Sequence, residues 1–178
     1  MRIDPKYFTK FIIGLGIFFT LLIAWFSISQ IGKQHTSFEL AVGDGSTLYN
    51  MNFRIPNNPS DSLSASYYAG SYVLMDFWSP WANRSHRAHE DIYDRIMRSD
   101  TRIIVFSPAV KDTDENIIAY AETVDYPFIF VVGTEAYQDE IIPGVPAYLL
   151  FSPDGELLEF HLGYRGTNDL DFLNTYLD

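Results

Sequence analysis

From Phe11 to Gly32 the chain runs for 22 residues without a charge, FIIGLGIFFTLLIAWFSISQIG. As a helix rising about 1.5 Å per residue, such a run is ~33 Å long, enough to cross a hydrocarbon core of about 30 Å. A helix buried inside a soluble protein normally keeps a polar stripe, and this one has none. Arg2, Lys6 and Lys10 precede the run with one acid, Asp4, and Lys33 follows it. The excess of positive charge on the N-terminal side predicts a cytoplasmic segment 1–10, a transmembrane signal-anchor over 11–32 and an extracytoplasmic remainder. Tyr7 and Trp25 are placed to sit at the two membrane interfaces. Ser27 and Ser29 also have the spacing a signal peptidase accepts, so a cleaved signal peptide competes with the anchor. Either reading exports the rest of the chain.

The exported part carries 8 basic and 22 acidic residues between positions 34 and 178, a net charge near −14. That balance argues against nucleic acid, because backbone phosphates require clustered Lys and Arg. There is no cysteine anywhere in the chain. Disulfides, thiolate nucleophiles, Cys-ligated zinc and iron–sulfur clusters are therefore excluded.

Hydrophobic patterning divides the remainder into elements. Ser37–Val42 reads as a short first strand turned by Gly43-Asp44-Gly45, and Leu48–Ile55 as extended. Pro56–Ser66 reads as an exposed loop. Tyr72–Trp78 (YVLMDFW) and Arg102–Ser107 (RIIVFS) have the continuous apolar character of strands buried on both faces. Ser79-Pro80-Trp81 breaks the first of these, and a helix over Ala82–Arg98 follows, with Ile92, Ile96 and Met97 inward. Asp112 and Glu115 have capping-box spacing ahead of Ile117, Ile118, Tyr120 and Ala121. Pro127–Val132, Tyr148–Phe151 and Glu156–Leu162 are further strands, the last two joined by the hairpin signal Ser152-Pro153-Asp154-Gly155. Asn168 caps a final helix with Asp171 in its first turn and Leu170, Leu173, Tyr176 and Leu177 on one face. Alternating strands and helices followed by a hairpin indicate an α/β fold with a mixed sheet.

Two segments carry a specific resemblance. Val73-Leu74-Met75-Asp76-Phe77-Trp78-Ser79-Pro80-Trp81 resembles the strand that enters a thioredoxin active site. Gly144-Val145-Pro146-Ala147-Tyr148-Leu149-Leu150-Phe151, with Asp154-Gly155 after it, resembles the cis-proline strand and hairpin of the same family. Order, spacing and the N-terminal apolar run make residues 37–178 similar to the exported, membrane-tethered thioredoxins of bacteria, the TlpA/ResA type. The resemblance implies a thioredoxin-like fold, a central mixed β-sheet flanked by helices, and a domain on the periplasmic side.

The departure from that family is chemical. Its two cysteines would fall at Ala82 and Ser85, with Asn83 and Arg84 between them. Exchange needs a thiolate at a helix N-terminus and a second thiol to resolve the mixed disulfide. Alanine has no nucleophile, and a serine hydroxyl forms no reversible bond with a disulfide. The sequence thus leaves no catalytic residue for thiol–disulfide exchange and implies no cofactor. Asp76 matches the family's buried acid, which here has no thiol to serve and is expected to hydrogen-bond with neighbours or water. Glu90 stands where the family usually has a helix-kinking proline.

Replacement chemistries find little support. His86 and His89 have a spacing that can bring two imidazoles together, but in the first turns of a helix in an acidic domain they read as a solvated face, with no metal expected. Ser85 and His86 are neighbours, about 100° apart on a helix, and form no catalytic pair. Asn83-Arg84-Ser85 also spells a glycosylation sequon. What the resemblance leaves is a groove formed by Trp81, Val145 and Pro146 that binds an extended peptide by strand pairing, with Arg84 and His86 lending its rim positive character. The expected role is a redox-inactive module that binds a protein partner or serves as a subunit in the cell envelope. Two alternatives remain: a Cys-to-Ala/Ser variant of a thiol–disulfide oxidoreductase, and a non-redox enzyme on the same scaffold.

Overall fold

A computed structural model describes the backbone of residues 5–134, 136 and 141–177, and their side chains except at 5–10 and 29–41. Arg2 and Asp4, and the side chain of Tyr7, lie outside that description. The chain divides into two units, residues 1–37 and 38–178. The first is helical throughout its described length, within α1 (Pro5–Val42). Every residue from Phe11 to Ile28 is exposed, and this stretch is long and apolar enough to cross a membrane.

The strand expected at Ser37–Val42 is instead the end of α1. Phe38-Glu39-Leu40-Ala41 has ample helix propensity, and the helix stops at Gly43, whose positive φ is the usual glycine terminator. The segment expected to be extended from Leu48 is also split. Ser46–Asn50 forms a short helix, α2, and only Phe53–Ile55 is a strand, β1. Pro56–Ser66 is not a loop. Pro56 and Asn57 make a turn, Asn57 taking φ 57°, and β2 (Asn58–Leu63) pairs back on β1. Pro followed by Asn at the turn's centre is a type II signature that accounts for this. All of β2 except Leu63 is exposed, as that polar sequence requires.

The remaining strands are β3 (Tyr72–Phe77), β4 (Ile103–Ala109), β5 (Ile129–Val132), β6 (Ala147–Phe151) and β7 (Leu157–Leu162). They join β1 and β2 in one seven-stranded sheet of order β2-β1-β5-β4-β3-β6-β7. β3, β4 and β5 are parallel neighbours; β6 and β7 run antiparallel. The mixed α/β architecture read from the sequence is the one observed.

Side chains alternate across this sheet with period two. Phe53, Val73, Met75, Phe77, Phe106, Leu149 and Phe151 bury one face together with Leu48 and Tyr49 of α2. The hairpin turn between β6 and β7 supports α2 closely: a Cβ on Gly155, which has φ 81°, would fall 2.6 Å from the Tyr49 ring. On the other face Leu74, Val105, Tyr148 and Leu150 pack under Ala88 and Ile92 of α3 (Asn83–Ile96) and under Leu170 and Leu173. Ile96 contributes to this core, but Met97 is the residue after α3 and is exposed.

Two predicted helix starts shift. α4 (Asp114–Thr123) is capped by Thr113, whose hydroxyl accepts from the Asn116 N–H. Asp112 instead accepts from the Asn116 side chain at 2.6 Å. The last helix is a 3₁₀ helix, Thr167–Thr175, and Asn168 lies inside it rather than capping it. Asp169 explains the shift: its carboxylate turns back to accept the Arg165 N–H at 2.6 Å and anchors the preceding turn.

Candidate binding site

The sequence-derived site residues come from two segments, and strand register brings these segments to one end of the sheet. Phe77 pairs with Ala147 at the end of the β3–β6 ladder, and Trp78 and Pro146 are the residues next beyond that pair. The Val145–Pro146 peptide bond is cis. On its other side Trp78 bridges to Ala109: Trp78 N–H donates to the Pro108 carbonyl at 3.1 Å, and Val110 N–H donates to the Trp78 carbonyl at 2.9 Å. The Trp78 indole is fully buried and donates to the Ser107 carbonyl at 3.2 Å. Ser79 is buried too, its hydroxyl donating to the Val110 carbonyl at 2.8 Å. These bonds fix where the chain leaves β3.

Trp81, three residues on, is 63% exposed. It borders a cleft of about 410 Å³ with Pro80 on its own side and Asn116, Ala119, Tyr120 and Thr123 of α4 on the other. Tyr120 is held rigidly. Its ring centroid is 4.6 Å from that of Trp78 and it stacks on His86 at 4.7 Å with the planes 27° apart. Its hydroxyl is 2.8 Å from His89 Nδ1. Burial pushes the Tyr120 phenol up, with Tyr126, Asp76 and Glu90 adding to the effect, so it stays protonated and can donate to that nitrogen.

α3 begins immediately after Trp81. Ala82 occupies the cap position and supplies no side-chain hydrogen bond. Its carbonyl accepts from Ser85 N–H at 2.8 Å and His86 N–H at 3.3 Å. Asn83 and Arg84 are exposed, while Ser85 is fully buried. The sequon Asn83-Arg84-Ser85 is therefore locked in a helix with its serine inside. Glu90 is exposed and α3 runs unbroken past it.

The solvated face expected for His86 and His89 is not what forms. Ser85, Ala88, His89 and Ile92 repeat at helical spacing and make the buried face of α3. His89 Nε2 lies 2.7 Å from Asp76 Oδ2, and both side chains are completely buried. The contact is close without being a well-aligned hydrogen bond. Asp76, expected to hydrogen-bond with neighbours or water, instead makes this close contact with a histidine that patterning had placed outside. The signal was present: His89 follows Ser85 by four residues and precedes Ile92 by three, so it shares their face. His86 is half-buried and stacks on Tyr120, while Arg84 is exposed. Among the described residues no cluster of three or more His, Cys, Asp or Glu side chains could hold a metal ion.

No protein-family model matches the chain, and no curated protein matches it. Solved structures do. A secreted Mycobacterium tuberculosis disulfide oxidoreductase homologous to E. coli DsbE superposes with a TM-score of 0.60 at 11% identity, covering 74% of this chain and 99% of that one. The pneumococcal exposed lipoprotein thioredoxin of Streptococcus pneumoniae gives 0.55 at 14% identity, covering 72% and 99%. StoA from Bacillus subtilis gives 0.53 at 13% identity, covering 71% and 98%. With β3, α3 and the cis-proline strand arranged as described, the chain has the thioredoxin-like fold, built on a sequence that contains no cysteine.

Proposed function

We propose that this chain is a membrane-anchored, extracytoplasmic thioredoxin-fold module that binds a protein partner and performs no thiol–disulfide exchange. The observation that carries the reading is Trp81. A tryptophan 63% exposed beside a cleft, on a turn fixed by buried hydrogen bonds, is a preorganised contact residue. Val145, half-buried at the same end of the sheet, supplies backbone for an extended peptide, while Pro146 is buried with its carbonyl accepting from Gly163 N–H at 2.7 Å. Ala82 and Ser85 offer neither attacking nor resolving sulfur. The exposed apolar stretch Phe11–Ile28 supports the anchor, and Arg2, Lys6 and Lys10 ahead of it support an N-terminus in the cytoplasm.

The test is comparative affinity capture from native membranes with wild type, Trp81→Ala and Met97→Ala. Met97 is about as exposed, at 61%, but follows the far end of α3, roughly 20 Å from its start. Loss of a specific partner with Trp81→Ala alone supports the site. Equal recovery by all three removes it. Cysteine codons at positions 82 and 85 of the source gene would replace this reading with that of a silenced oxidoreductase.

A further inference from the structure

The cleft of about 410 Å³ beside Trp81 has a chemical bias. Its walls are largely carbon: Pro80, the Trp81 indole, Ala119 and the Tyr120 ring. One charged residue lines it, Asp112, just ahead of the Thr113 cap of α4. Arg84 and His86, the cations expected at the rim, are not among the lining residues.

Asp112 is held in place through one oxygen. Oδ1 accepts from the Asn116 side chain at 2.6 Å and from the Thr113 N–H at 2.8 Å. Its second oxygen has no hydrogen-bond partner among the described residues. At the other end of the cleft wall, α4 finishes at Thr123 without a basic residue in its last turn. The last carbonyls of the helix therefore keep their partial negative charge.

Apolar walls that lead to a carboxylate match a side chain that is a carbon stem with a cationic tip. Indole is also the best aromatic face for an ammonium or a guanidinium. An acidic side chain would meet repulsion from Asp112, and an aliphatic one would leave that carboxylate without a partner. The 22 acidic against 8 basic residues between positions 34 and 178 add a long-range field that steers basic surfaces toward this domain.

We propose that the cleft receives a lysine or arginine side chain of the protein partner, its stem along Trp81 and its charge at Asp112. This inference rests on the partner-binding reading and narrows the partner to one that presents a basic segment.

The test uses the full chain in a non-ionic detergent and three labelled peptides, acetyl-Thr-Val-Thr-X-Thr-Val-Thr-amide, with X arginine, leucine or glutamate. Fluorescence anisotropy should show the arginine peptide binding about tenfold tighter than the leucine peptide, and the glutamate peptide weakest. Asp112→Asn keeps an acceptor for Thr113 and Asn116 but removes the charge. It should bring the arginine and leucine peptides to within about twofold of one another, while Trp81→Ala should weaken both. Equal affinity for arginine and leucine in wild type, an arginine preference that survives Asp112→Asn, or binding of none of the peptides would overturn the inference. None of these outcomes decides whether the chain binds a partner at all, which the membrane capture with Trp81→Ala reads separately.

Discussion

His89 Nε2 sits 2.7 Å from Asp76 Oδ2 in a part of the core that neither side chain shares with solvent. Replacing either partner with leucine orphans the other. Asp76→Leu or His89→Leu should therefore cost on the order of 3–5 kcal/mol, whereas the two replacements together should be close to neutral or stabilising. Urea unfolding of wild type, both single variants and the double variant closes the cycle. Additive losses would show that the pair is not energetically coupled.

Arg54 ties β1 to the start of α4. Its guanidinium holds the Asp114 carboxylate with two hydrogen bonds of 2.6 Å, and Asn57 N–H donates to the same carboxylate at 2.7 Å. The Arg54 hydrogen bond, set against a smaller opposing effect of burial, brings Asp114 down to about 2 from an ordinary 3.8. A depressed carboxyl contributes stability that is present above the unfolded value and lost as pH falls through the folded one. The window is thus pH 3.8 down to about 2. Because the pair lies near solvent, Asp114→Asn should remove only about 1 kcal/mol at pH 7. Thermal unfolding at pH 7 and pH 2 checks the sign: the gap between wild type and variant should close at the acid end.

The two tryptophans flanking the β3–α3 turn should behave oppositely. Trp78 is fully buried against Tyr120, His89 and Phe130, so Trp78→Ala should cost about 3–5 kcal/mol. Trp81→Ala should change stability by no more than about 0.5 kcal/mol while weakening partner capture. Denaturation curves alongside the capture assay separate the two effects. A large stability loss from Trp81→Ala would mean that its ring is core.

For the N-terminal unit, a charge in the middle of the exposed apolar stretch should impair insertion. Leu21→Arg adds about 2.5–3.5 kcal/mol to the insertion of a single span. Alkaline extraction of membranes should leave wild type in the pellet and release a larger share of Leu21→Arg. Protease added from the cytoplasmic side should spare residues 38–178.

Most of the scaffold could be read from the sequence because its signals are local. Continuous apolar runs marked β3 and β4, and Ser152-Pro153-Asp154-Gly155 marked the hairpin between β6 and β7. The motifs around Trp81 and Pro146 anticipated one end of the sheet, including the cis bond. The misreadings have local causes too: a helix that outran its apolar segment to Gly43, and a Pro56-Asn57 turn taken for a loop. The polar interior escaped for a different reason. That Asp76 lies opposite Tyr148 and beside His89 depends on strand register and on how α3 packs over the sheet, and neither is encoded within a single segment, although the spacing of α3 alone marks His89 as inward.

The sheet ends, beyond β1, in a strand spelled Asn58-Pro59-Ser60-Asp61-Ser62-Leu63, almost wholly open to solvent. Proline removes a donor from that border and Asp61 places a charge along it, two features that discourage another strand from adding on. Confinement to a membrane surface, as proposed for this chain, would crowd copies into two dimensions with their flanks repeatedly meeting. A border of this composition disfavours pairing through β2 when such copies meet.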